Sequence, residues 1–133
     1  MSSIWLRRHG SSHSNEGGAS ADSWEIQLTP TGEVQAREAA HQWAQIIASK
    51  TFRLVTSPML RARQTAEHVQ ALYPHIALEV VDGLREFEPF DFSQRPAMQP
   101  AERKPLLLDY WAACDPERVG DGRRAESFAR FRQ

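Results

Sequence analysis

A chain of 133 residues, 41% hydrophobic and 25% charged, has the composition of one globular domain and excludes a disordered or fibrous chain. Sixteen basic residues face seventeen acidic ones, so no overall field draws the protein to nucleic acid or a membrane surface, and any anion site must be local. The lone Cys114 excludes an intrachain disulfide and a cysteine-rich zinc site and fits a reducing, cytoplasmic setting, while no apolar run is long enough for a signal segment or a membrane span.

Residues 4–7, IWLR, read as a short buried strand running into a His9–Gly10 turn. Residues 11–22 are rich in Ser, Gly and Asn and read as a loop. Thr29 then offers a cap and Pro30 a first helical position, and Ala36, Ala39, Ala40, Trp43 and Ile47 follow at helical spacing. This predicts an amphipathic helix from Pro30 to about Ser49. Residues 52–56 read as a second strand. Ser57 and Pro58 repeat the cap-then-proline start, and Ala62, Ala66, Val69 and Tyr73 line one face of a second helix that Pro74 ends. Residues 76–81 read as a third strand, turned by Asp82–Gly83 into Leu84–Arg85–Glu86. The segment 88–105 holds four prolines and reads as an irregular excursion. Residues 106–113 read as a helix, 115–124 as polar, and 126–131 as the opening of a further helix.

Strand, helix, strand, helix, strand predicts an α/β fold, a three-layer α/β/α sandwich with a mainly parallel sheet, in a single domain over residues 1–133. Such sheets hold ligands at the carboxyl ends of their strands, beside helix N-termini. Arg8, His9 and Gly10 follow the first strand, Arg61 lies in the first turns of the second helix, and Glu86 follows the third strand. The adjacent Arg7 and Arg8 would be costly to bury unpaired, and at such a rim they need not be.

The chemistry of that rim points to phosphoryl transfer. A neutral imidazole is a nucleophile. Gly10 would let a ligand approach the backbone closely. Arg8 and Arg61 can fork onto phosphate oxygens, and Asn15 can donate from its amide. Glu86 can protonate a leaving alkoxide, with Glu88 and Asp91 as substitutes. Plainer readings stand beside these: Arg61 as a solvated helix residue, Asn15 as a turn residue, Glu86 as a partner of Arg85, Ser57 as no more than an N-cap. His9 and His13 stand at helical metal-ligand spacing, but Gly10 and the serines argue against a helix, so neither metal nor cofactor is expected. Trp43 reads as core, Trp24 has no assigned role, and Arg123–Arg124 reads as an exposed pair too small for a nucleic-acid patch.

Arg8–His9–Gly10 followed by Asn15 resembles the signature of the histidine phosphatase superfamily, the phosphoglycerate-mutase-like proteins. Four further elements match in chain order. Leu28 to Ala36, LTPTGEVQA, resembles the family's LTxxGxxQA helix start. Ser57 to Ala66, SPMLRARQTA, resembles its SPxxRAxQTA segment. Leu84–Arg85–Glu86 resembles its LxE element, and Glu126–Ser127–Phe128 its ESF helix start. The resemblance implies that His9 is the nucleophile that becomes a phosphohistidine, that Arg8, Asn15 and Arg61 form the phosphate pocket, and that Glu86 is the proton donor. It implies a cofactor-free hydrolase for a small phosphorylated substrate or a phosphoprotein, with no nucleic-acid or membrane partner. The family carries a second pocket histidine on a later central strand, and the sequence ends at Gln133 before any such strand. The chain is therefore expected to lack that C-terminal strand and helix, and open inner strand edges would favour a homo-oligomer. A phosphoglycerate-type mutase and a non-catalytic phospho-ligand-binding domain are the rival functions.

Overall fold

The structure, a computed structural model, describes residues 3–19, 22–47, 50–94, 97–120 and 124–132. Thr29 sets the start of helix α1 (Pro30–Ile47): its Oγ1 accepts from the Gly32 N–H at 3.1 Å, and Pro30 occupies a first-turn position where no intrahelical donor is lost. Gly32, Ala36, Ala39 and Ala40 form the buried face, whose small side chains allow a close helix contact. The end expected at Ser49 lies outside the described residues. Strand β1 (Leu54–Thr56), helix α2 (Leu60–Leu72) and strand β2 (Leu78–Val80) follow. The strands pair in parallel, Leu54 opposite Leu78 and Thr56 opposite Val80. Ala40, Leu54 and Val69 form the core between α1, β1 and α2, with Trp43, Phe52, Tyr73, Ile76 and Leu78 packed around them.

Three expectations are corrected here. Ser57 is not the cap of α2: the helix opens after Met59, and Ser57 Oγ instead accepts from the Met59 N–H at 3.3 Å, capping the turn before it. Residues 4–7 form no strand. Ile4 and Leu6 are 88% and 89% exposed, and among the described residues the sheet is β1–β2 alone, which leaves this segment no ladder partner for its N–H and C=O groups. The architecture is α/β, and of the three expected layers the described residues supply the parallel sheet and the α1–α2 layer on one face. Val55 and Val80 lie exposed on the strands.

The third correction concerns the excursion expected over 88–105. Helix α3 (Pro100–Ala112) begins inside it, because Gln99 and Glu102 build a capping box around Pro100. Pro105 within the helix removes one intrahelical bond without ending it. A short helix α4 (Phe128–Phe131) is capped by Ser127 Oγ, which accepts from the Arg130 N–H at 3.2 Å. Phe87 stands among Tyr110, Trp111, Phe128 and Phe131, with ring centroids 5.4–5.9 Å away. This aromatic cluster ties α3 and α4 to the segment that carries Glu86.

Candidate active site

The loop after residue 9 is anchored from both helices. The Gly10 N–H donates to Thr65 Oγ1 on α2 at 3.2 Å, and the Ser11 N–H donates to Gln35 Oε1 on α1 at 2.8 Å. The Ser11 carbonyl accepts from the Thr29 N–H at 2.9 Å. A Cβ on Gly10 would sit 2.4 Å from the Gly32 carbonyl oxygen. The backbone of α1 therefore by itself requires a glycine at this position.

These anchors bring His9 against the first turn of α2. Its Nδ1 lies 2.7 Å from the Gly10 carbonyl oxygen, which can only accept, so Nδ1 carries the proton. Its Nε2 lies 3.1 Å from Arg61 Nε, which can only donate, so Nε2 carries the lone pair. Two independent partners thus select one tautomer. The imidazole pKa is lowered, first by burial, with the Arg61 and Arg8 cations adding to the effect and the Gly10 bond and Glu86 opposing it. His9 is a neutral base with its lone pair aimed at Arg61.

Arg61 is 4% exposed and each of its three guanidinium nitrogens has a partner. Besides His9, Nη1 donates to the Ser23 carbonyl at 2.6 Å and Nη2 pairs with Glu86 Oε2 at 2.8 Å. Thr65 Oγ1 donates back to the Arg61 carbonyl at 2.8 Å, so the residue holding Gly10 also braces the arginine's own turn. Glu86 Oε1 reaches to 3.9 Å from His9 Nε2, and its side chain is 63% exposed. Glu86 thus stands at the mouth of the site. Arg85 does not pair with it; both Arg85 terminal nitrogens go to the buried Glu126.

The structure brings His9, Arg61 and Glu86 together. Arg8 is exposed beside them and lines, with Arg7, His9, Gly10, Gln35 and Thr65, a hollow of about 260 Å³. Asn15 is exposed and its Oδ1 accepts from the Ser12 N–H and hydroxyl at 3.1 and 2.8 Å, so its amide oxygen faces its own turn. Asp91 is buried and held ionised by Ser93 and the Arg124 backbone and side chain, which pull its pKa far down against burial and unsuit it to proton donation. Arg124 is not the exposed residue expected: it pairs with Asp22 and Asp91 and stacks over Trp24, while Arg123 lies outside the described residues. Trp24 and Ser23 were missed by sequence reasoning, because a backbone carbonyl leaves no mark on residue type. Thr65 had a signal, one helical turn beyond Arg61 on the same face. His13, His41 and His75 are exposed, and His68 pairs with Glu33 across α1 and α2 at 2.7 Å. Among the described residues no three metal-ligating side chains cluster.

The family model described as histidine phosphatase superfamily (branch 1) matches residues 4–133. Among solved structures the chain is similar to the alpha-ribazole phosphatase from Shigella flexneri, with 22% identity, a TM-score of 0.60 and 92% of this chain against 58% of that one. It is likewise similar to a mycobacterial glucosyl-3-phosphoglycerate phosphatase solved with VO3, with 20% identity, a TM-score of 0.62 and the same 92% and 58% coverage. The chain thus spans 58% of the length of these solved relatives. The search of curated proteins gave no match. With a family match over nearly its whole length and the α/β fold of these longer phosphatases, the chain belongs to the histidine phosphatase superfamily.

Proposed function

We propose that the chain carries the nucleophilic site of a phosphoric monoester hydrolase working through a phosphohistidine on His9. The observation that supports this most is the tautomer: Nδ1–H bonded to Gly10, Nε2 unprotonated and against Arg61. A substrate phosphoryl group would draw the Arg61 donors onto its oxygens, assisted by Arg8 and, after its turn rearranges, Asn15. The Nε2 lone pair then attacks phosphorus in line as the ester P–O bond breaks, and Glu86, as a carboxylic acid, gives its proton to the leaving oxygen. In the second half, water attacks the phosphorus, Glu86 takes the water proton, and the P–N bond pair returns to Nε2. Each step uses this chain's own side chains and water.

Glu86 at an open mouth suits a small phosphorylated molecule or an exposed phosphoryl group on a protein, and the lone exposed Cys114 fits work in the cytoplasm. A second reading, phospho-ligand binding without turnover, is favoured by one observation: His68 is paired with Glu33, His13, His41 and His75 are exposed, and no second histidine is among the groups that shift the His9 pKa. Hydrolysis of p-nitrophenyl phosphate by the unaltered chain and by His9→Ala separates the two. Turnover lost in His9→Ala supports the hydrolase. Phosphate binding with no turnover in either protein supports the binding domain.

A further inference from the structure

Glu88 is a half-buried carboxylate with no part in that scheme. One oxygen accepts from the Ser23 hydroxyl and the other from the Trp24 indole N–H at 2.6 Å. Burial pushes its pKa up, opposed by the Trp24 bond and by Arg124, with Asp22 and Asp91 adding to the rise; Arg85 also lies within its field. Both acceptors are thus committed to one short strap of chain, residues 22–24.

That strap is what aims Arg61. The Ser23 carbonyl accepts from Arg61 Nη1 at 2.6 Å, and the Trp24 carbonyl accepts from the N–H of Leu60, the first residue of α2, at 2.9 Å. Along its own segment, Glu88 stands two positions from Glu86, and its carbonyl accepts from the Glu126 N–H at 3.1 Å. Glu126 in turn holds Arg85. A single carboxylate therefore joins the strap that aims Arg61 to the segment that carries Glu86.

We propose that Glu88 is a positioning residue, locking the 22–24 strap against the 85–88 segment and so keeping the Arg61 guanidinium on His9 Nε2. The proposal deepens the phosphatase reading and rests on it for its functional meaning. Its structural content is read separately, from the titration of His9 in the full chain without substrate. Ring C–H resonances of the five histidines are followed by NMR, with His9 assigned from His9→Ala. Removing a neighbouring carboxylate by itself takes negative charge away from an imidazole and lowers its pKa. Releasing Arg61 takes positive charge away and raises it. The two effects have opposite sign.

Glu88→Ala and Glu88→Gln are each expected to raise the His9 pKa, by roughly half a pH unit. In an Arg61→Ala background the same substitutions are expected not to raise it, since the element they act through is gone and only the opposite charge effect is left. Glu88→Gln keeps the side-chain volume and loses one acceptor, so it carries the test if Glu88→Ala fails to fold. A His9 pKa unchanged or lowered in folded Glu88→Gln overturns the proposal. So does a rise that persists without Arg61. Whether the chain hydrolyses p-nitrophenyl phosphate has no bearing on this readout, so failure of the phosphatase reading and failure of the clamp are seen in different experiments.

Discussion

Arg61 Nε donates to His9 Nε2 across 3.1 Å, although 52 residues separate the two in sequence. The same guanidinium reaches Ser23 and Glu86, so three loops converge on one planar fork. Lysine offers a point charge without that geometry. Arg61→Lys is expected to lower kcat/KM for p-nitrophenyl phosphate by about 10²- to 10³-fold, the cost of removing a preorganised charge-stabilising donor. Steady-state kinetics on folded protein measures it, and a loss below tenfold would show that the fork is not used.

Glu86 stands 3.9 Å from His9 Nε2, the proposed nucleophile, and open to solvent, where a leaving oxygen would depart. p-Nitrophenolate is stable without protonation, whereas an alkoxide is not. Glu86→Gln is therefore expected to cost little on p-nitrophenyl phosphate and about 10²-fold or more on an alkyl phosphate such as glycerol phosphate. Equal losses on the two substrates would assign Glu86 to binding and not to proton transfer.

The lowered pKa of His9 sets the sign of the pH dependence. Only neutral His9 is a nucleophile, so kcat/KM should fall with acid along a limb whose midpoint lies below the ordinary imidazole value of 6.5. Stability follows the same direction. Below 6.5 the unfolded chain takes a proton at His9 that the folded chain refuses until its lower pKa is reached, so stability falls as pH drops through that window. Asp91 adds a second loss further down: its depressed pKa contributes stability that is complete above its ordinary 3.8 and drains away below it. Urea midpoints measured from neutral pH downward should decline through both windows, and Asp91→Asn should shrink the lower decline. Glu16, Glu79 and Glu126 share that lower decline, because their partners also hold them below the ordinary carboxylate value.

Gly10 and Gly32 let the loop and the first turn of α1 meet backbone to backbone. A Cβ on Gly32 would lie 1.9 Å from the Ser11 carbonyl oxygen, and one on Gly10 2.4 Å from the Gly32 carbonyl oxygen. Neither obstacle is a flexible side-chain tip. Gly10→Ala and Gly32→Ala should each destabilise the fold by about 1–3 kcal/mol. Gly83→Ala, where a Cβ meets nothing within 4 Å, is the control and should leave the urea midpoint nearly unchanged.

The helices were legible because their signals are local. Thr29 with Pro30 marks the start of α1, Pro74 the end of α2, and the alanine stripe of α1 its buried face. The strand expected at residues 4–7 was not, because IWLR records only that the segment is apolar, whereas pairing depends on a neighbour the sequence pattern does not name. Pro100 looked like a breaker and is a helix start, a role set by Gln99 and Glu102 on either side of it. At the site, residues 9, 61 and 86 were expected to meet at three strand ends. They do meet, but among the described residues His9 follows no strand, and its loop is held instead by Thr65 of α2 and Gln35 of α1. The strap at Ser23 and Trp24 was not legible, since one of its contributions is a backbone carbonyl and the other depends on Glu88 from a distant segment. Arg8, singled out as a cation adjoining His9, lines the hollow beside it, whereas Asn15, singled out by its spacing from His9, has its amide oxygen in a local turn.

The measurement that bears most directly on the account is capture of the intermediate: rapid acid-free denaturation during turnover of p-nitrophenyl phosphate, followed by mass spectrometry and 31P NMR of the chain. The account predicts a phosphoryl group on the Nε2 nitrogen of His9, absent from His9→Ala, which turns over no substrate. Full turnover by His9→Ala, or a phosphoryl group trapped on any other side chain, would contradict it.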